Sequence, residues 1–377
     1  MKVALNIWNK QKSWQNKDAL PDAQLVIYFG GKGTLDSGEH YRELKSLYPK
    51  AHLLGCSTGG EIYNREVLDG SIVAAAIQFE RTALRTAVVN ITGNDESFSA
   101  GQKLAQALQQ PDLTNIFILS DGTNVNGSDL VRGLYDVLDE KIIVTGGLAG
   151  DAADFGTTFV GLDHAPQPKS IAAVGFYGKG LQVGYGSVGG WDSFGPKRKI
   201  TKSKNNVLYE LDGKPALDLY KQYLGPDAER LPGSALLFPL SIRPEQESRH
   251  EMVRTVVGID EAEKSLTFAG DVPEGFTVQL MRGDFNHLVE GAATAAGLAN
   301  LTTPNPHSLA ILVSCIGRKL LLGQQISDET ESVADVFQNA IPTIGFYSYG
   351  EICHQQFTGK CGLHNQTMTV TLLHEPE

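Results

Sequence analysis

One phrase, Gly-x-x-x-x-Gly-Glu-Ile, stands twice in this chain of 377 residues, as Gly55 to Ile62 and again as Gly345 to Ile352. Each copy follows an apolar run that reads as a strand, Ala51 to Leu54 and Ile341 to Ile344, and each run is preceded by residues at helical spacing. Such a repetition of strand, glycine turn and carboxylate points to an α/β fold. The passage Asn115 to Asp151 follows the rhythm of Gln24 to Glu61, and a third version runs from Ser308 to Glu351. The expected fold class is therefore α/β, two related halves with mixed sheets flanked by helices. A ligand pocket is expected between or at the Gly-Glu-Ile turns, because open α/β sheets bind beyond the carboxyl ends of their strands. Glu61 and Glu351 should then face one shared hollow.

Composition excludes several classes. With 41% hydrophobic and 20% charged residues the chain is globular and long enough for about two domains. Its 32 basic against 43 acidic residues give a net charge of −11, which repels phosphate backbones and anionic membranes, so no nucleic-acid or membrane partner is expected. The opening Met1-Lys-Val-Ala-Leu-Asn lacks the pattern of a secretory signal, no apolar run approaches the ~20 residues of a membrane span, and four cysteines make no disulfide framework. These features predict a cytoplasmic protein, with self-association left open.

Strands are expected over Val3 to Trp8, Gln24 to Phe29, Ser71 to Phe79, Ala83 to Ile91, Asn115 to Leu119, Ile171 to Tyr177 and Leu181 to Ser187. The pair Ser71 to Phe79 and Ala83 to Ile91, with no helix between, reads as antiparallel neighbours. Helical spacing covers Glu39 to Leu47, Ser97 to Leu108, Ser128 to Leu138 with Ser128 as cap, and the alanine-rich Asn286 to Ala299. A hairpin should turn at Asp212-Gly213, a helix should open at Pro215, and Ala235 to Leu240 reads as a strand. The turn-rich, basic stretch from Gly189 marks a junction, giving domains 1–195 and 196–377.

Gly55-Cys56-Ser57-Thr58-Gly59 fits the nucleophile elbow of serine hydrolases, but turn residues follow where a helix is needed and no Asp/His partner can be placed. Gly184 to Gly189 fits a dinucleotide fingerprint with no helix to complete it. Near the end, Cys353, His354, Cys361 and His364 crowd together without the spacing of a zinc finger, and adjacent Cys353 and His354 would point to opposite faces of a strand. Arg318, straight after a buried strand and a glycine, offers a fork to a ligand carboxylate or to an internal partner such as Glu61 or Glu351. His287 and His250 read as surface or capping residues.

Five phrases in order, Gly55 to Ile62, Gly146 to Asp151, Ser314 to Arg318, Gly345 to Ile352 and Leu363 to Met368, resemble the FIST proteins, with FIST N and FIST C regions spanning nearly the whole chain. The resemblance implies a sensory protein that binds a small molecule such as an amino acid, and not an enzyme. Stand-alone members of this length are similar to the bacterial nitric oxide sensors called NosP, which carry haem b and act on a partner histidine kinase. For a haem iron the candidate ligands are His354, then His364, then His287. The expected ligand-binding residues are Cys56, Ser57, Thr58, Glu61, Arg318, Tyr347, Tyr349 and Glu351.

Overall fold

Three stretches of the chain trace the same path in the computed structural model, which describes residues 1–15, 20–244, 252–301, 305–355 and 359–376. Each contains two parallel strands joined over a helix: Leu25–Gly31 with His52–Thr58, Leu113–Ser120 with Ile143–Leu148, and Ser308–Cys315 with Thr343–Ser348. A returning strand then lies antiparallel to the first of the pair, as Ile72–Gln78, Ser170–Tyr177 or Met368–His374. The strand that opens each stretch, Lys2–Asn9, Ala83–Asn90 or Gln182–Val188, lies antiparallel to that returning strand on its far side. The expected mixed sheets flanked by helices are present, and the two Gly-Glu-Ile copies belong to the first and third repeats.

The repeats are laced together by exchanged strands. After His52–Thr58 the chain crosses to pair Glu61–Tyr63 with the third repeat's Thr343–Ser348. From there Gly350–His354 crosses to the second repeat's Ile143–Leu148, and Val160–Leu162 returns from the second repeat to His52–Thr58. The exchange is cyclic, so no repeat can complete its sheet alone.

Alternation along the buried strands sends one residue set inward and the other outward. Ile27 and Phe29, Phe117 and Leu119, and Ile311 and Val313 meet in one inner core, where the Phe29 and Phe346 rings lie 4.6 Å apart. The outward set of the first repeat, Val26, Tyr28 and Leu53, is covered by Leu44 and Tyr48 of the Glu39–Leu47 helix and the turn after it. Burial on both faces explains the near-continuous apolar runs, and each fully buried large side chain contributes about 1.5–3 kcal/mol.

Between the third repeat's opening strand and its Phe285–Ala299 helix the chain makes an excursion, starting with Trp191–Lys204 and ending with Thr277–Gly283, which pair with each other. It holds an antiparallel sheet, the Ala216–Leu224 helix and a core of its own around Leu208, Tyr220, Leu266 and Phe268. The excursion leaves at Gly190, whose φ of 87° and whose missing side chain, only 2.2 Å from the His287 carbonyl oxygen if present, require glycine. Position 195 falls inside the long first strand of this unit.

Several local expectations are corrected. Ile72–Gln78 and Ala83–Asn90 do not pair, because each closes the sheet of a different repeat. The helix cap is Asn126, whose side chain accepts from the Ser128 and Asp129 amides, while Ser128 lies inside the helix. Ala235 to Leu240 forms a 3₁₀ turn over Gly233–Leu237, and the strand begins only at Leu240. The Asp212-Gly213 hairpin and the helix opened by Pro215 form as expected.

Candidate functional site

Each parallel pair ends in a turn with a carboxylate three residues beyond the second strand: Glu61 after Thr58, Asp151 after Leu148, Glu351 after Ser348. Backbone hydrogen bonds join the turns at every crossing, among them Gly59 N to Tyr347 O at 2.7 Å, Gly150 N to Ser57 O at 3.0 Å, and Tyr349 N to Leu148 O at 3.1 Å. The three turns therefore pack against one another.

Glu61 and Glu351 use the same local chemistry. The Thr58 hydroxyl lies 2.5 Å from one Glu61 oxygen, and the Ser71 amide and hydroxyl donate to the other at 2.9 and 2.7 Å. For Glu351 the partners are Ser348 at 2.6 Å and the Thr367 amide and hydroxyl at 3.1 and 2.9 Å. Burial raises Glu61 to about 7 and Glu351 to about 8, against hydrogen bonds that favour the charged form. The expectation of one hollow shared by these two groups is corrected: the cleft that Glu61 lines takes its other buried carboxylate from Asp151, and Glu351 spends its oxygens on Ser348 and Thr367.

The other expected ligand residues are tied into the frame. Cys56 is buried in the inner core. Ser57 donates to Gly150 O at 2.8 Å and accepts from Phe159 N at 2.9 Å, so its hydroxyl is committed to backbone. The Tyr347 hydroxyl donates to Glu329 at 2.8 Å, and the Tyr349 hydroxyl donates to Asp151 while its ring stacks on Phe155 at 4.4 Å. Arg318 is wholly buried and donates to Glu329 through Nε at 2.9 Å and Nη2 at 2.8 Å, and to the carbonyls of Leu288 and Gly189. Its ion partner is thus Glu329 and neither Glu61 nor Glu351, because the Ile316–Leu322 helix that carries Arg318 leads through one 3₁₀ turn into the Ile326–Val336 helix that carries Glu329.

Haem ligation needs an imidazole nitrogen free to face iron. His354 Nε2 has the Tyr135 hydroxyl at 2.9 Å and accepts from Val144 N at 3.2 Å, while Nδ1 donates to Gly359 O at 2.8 Å. Burial lowers its proton affinity, consistent with a neutral ring. His364 donates from Nε2 to Cys353 O at 3.0 Å, and burial lowers it to about 4. His287 is exposed beside Asp192 at 3.1 Å. The ring that ranks first for iron thus does not fit the role as it is held here. Among the described residues no group of three or more His, Cys, Asp or Glu is placed to hold a metal. His250 lies outside the described residues.

What the turns do border is a cleft of about 430 Å³ at the carboxyl ends of Leu25–Gly31 and His52–Thr58. Thr58 and Glu61 line it together with Lys32, Asp36, Asp151 and Asp154. Lys32 Nζ stands 3.6 Å from Asp151, which also accepts from the Tyr349 hydroxyl and from the Gly156 and Thr157 amides, the latter two at 3.0 and 2.8 Å. Gly31, Gly33, Gly59, Gly60 and Gly70 leave backbone bare along its walls. The sequence reading does not select Lys32, Asp36 or Asp151 as site residues. The Asn115 to Asp151 version of the repeat held the clue for Asp151, since it occupies the place of Glu61 and Glu351.

Comparisons with known proteins place this geometry. The FIST N domain model matches residues 24–214 and the FIST C domain model residues 216–354. An uncharacterized protein from Methanocaldococcus jannaschii is 24% identical over 347 residues, covering 82% of this chain and 65% of that protein, so the match spans less than two thirds of the relative's length. Among solved structures the chain is similar to a cyanuric acid hydrolase from A. caulinodans, with 8% identity, 95% of this chain and 92% of that chain covered, and a TM-score of 0.35. That likeness is to a hydrolase, so the expectation that the chain is not an enzyme is withdrawn, although a match of this size assigns no reaction to it. No described helix is long and apolar enough to cross a membrane. With both regions matched in order along most of its length, the chain belongs to the FIST family, whose domains are small-ligand sensory units of signal transduction.

Proposed function

We propose that this protein senses a small metabolite bearing an ammonium group, an amino acid or a related amine, in the cleft beside Glu61. The observation that supports this reading is the charge arrangement there: Asp36, Asp151 and Asp154 line the cleft together with Lys32. An ammonium group has carboxylates to meet, and a ligand carboxylate has Lys32 and bare glycine backbone. Because the cleft is formed by the first repeat and a turn from the second, an occupant would bear on the exchanged strands that join the repeats.

Thermal unfolding tests the proposal. L-lysine and putrescine should raise the melting temperature, their fully N-acetylated forms should not, and the Asp36→Asn/Asp154→Asn double variant should lose the response. At a hundred times Kd the gain corresponds to about 2.7 kcal/mol. Equal shifts with amine and acetylated amide would refute the reading. The alternative from the family resemblance, haem b with nitric oxide as signal and a histidine kinase as reader, requires the first-ranked His354 to give up its hydrogen bonds. A Soret band on adding haemin, lost in His354→Ala, would favour it instead.

A further inference from the structure

A second cavity, of about 350 Å³, lies where the inserted unit meets the second and third repeats. The Gly127–Tyr135 helix forms one wall through Val131 and Tyr135, the exchanged Cys361–His364 strand another through Leu363, and Met252 and Arg254 of the inserted unit a third. The volume falls near the lower end of small-molecule sites, about 300–1,000 Å³.

Arg254 sets its chemistry. The residue is 4% exposed, and its donors reach only neutral acceptors: Nε to Asp271 O at 3.0 Å, and Nη1 to the carbonyls of Val253 at 3.2 Å and Leu363 at 3.1 Å. Among the described residues Nη2 has only the Met252 sulfur, at 3.7 Å. No carboxylate of the described residues makes an ion pair with it. The Asp271 carboxylate is engaged elsewhere, by Asn126 at 3.0 Å and Arg132 at 3.5 Å. A buried guanidinium without an ion-paired carboxylate is costly, and burial lowers Arg254 to about 10 against the pull of the more distant Asp271 carboxylate. Arg318 shows the contrast, since its equally buried guanidinium has Glu329.

The remaining lining agrees in sign and polarity. Arg132 and Lys360 line the cavity with Arg254, and among the described residues Glu140 is the single acidic one of the lining, in a chain whose net charge is −11. Val131, Met252 and Leu363 supply apolar surface beside these cations.

We propose that this cavity binds a small organic acid, its carboxylate against the open Nη2 edge of Arg254 and its apolar body against Val131, Met252 and Leu363. The site is separate from the cleft beside Glu61 and does not rest on the amine reading. Because Arg254 also donates to Leu363 O, the acid would fasten the inserted unit to the exchanged strand of the third repeat.

Calorimetry on the full chain with hexanoate, hexanamide and inorganic phosphate as probes tests this. Hexanoate is expected to bind saturably at one site, with hexanamide and phosphate at least tenfold weaker. Arg254→Gln should weaken hexanoate at least tenfold. Met252→Trp, which fills the cavity and leaves the arginine in place, should do the same and serves if Arg254→Gln fails to fold. Hexanoate binding that is absent, matched by hexanamide or phosphate, or unchanged in either folded variant would overturn the proposal. Putrescine added to saturation should leave the hexanoate isotherm unchanged, which separates this result from that for the cleft.

Discussion

Glu351 offers a direct reading of how strongly burial acts on the turns. Replacing it by Gln keeps the hydrogen bonds available, since the amide oxygen can accept from the Thr367 amide and hydroxyl and the amide nitrogen can donate to Ser348. What disappears is the proton equilibrium. Burial raises the folded carboxyl to about 8 from an ordinary value of 4.5. Between those values the folded chain holds a proton that the unfolded chain has released, so stability falls as pH rises. Below 4.5 both states are protonated and no penalty exists, whereas above about 8 both are ionised and the penalty is complete. At about 1.36 kcal/mol per pH unit the whole interval amounts to a ceiling of about 5 kcal/mol. Urea midpoints of the wild type and Glu351→Gln, measured from pH 4.5 to 9, should therefore diverge in favour of the variant as pH rises. If the wild type instead gains on the variant across that window, the Ser348 and Thr367 donors hold an ionised carboxylate and burial is not the dominant effect.

Arg318→Met should destabilise the protein by about 3–5 kcal/mol, because it strands the buried Glu329 carboxylate. Denaturant titration checks this, and unchanged stability accompanied by loss of ligand binding would restore Arg318 as a ligand group. Gly146→Ala should cost about 2 kcal/mol or more, since the new Cβ would stand 1.9 Å from the Ile118 carbonyl oxygen at a φ of 144°. A melting temperature within a degree of wild type would show that the neighbouring strand yields.

Most secondary structure was legible because it rests on local causes. The apolar runs of Leu25–Gly31, Leu113–Ser120 and Ser308–Cys315 mark strands buried on both faces, and the spacing in Glu39–Leu47 and Phe285–Ala299 marks helices. The Thr58-to-Glu61 and Ser348-to-Glu351 spacings also place hydroxyl and carboxylate within one turn, so the chemistry of each corner could be anticipated in kind. The destination of those corners could not. Arg318 looked equally suited to a ligand or an internal carboxylate, and only the docking of the Ile326–Val336 helix brought Glu329 to it.

The sequence by itself determined that this chain alternates strands and helices, repeats one turn chemistry, and belongs among mixed α/β proteins, because those properties are written in periodicities a few residues long. It took the folded molecule to set the cyclic trade of strands among three repeats, the sharing of one cleft by Asp151, Lys32 and Glu61, and the burial of Arg254 without an ion pair among the described residues. The reason is physical: Ser57 meets Gly150 and Arg254 meets Leu363 across long spans of chain, and such pairings are selected by burial and hydrogen bonding of the whole molecule rather than by neighbours in sequence.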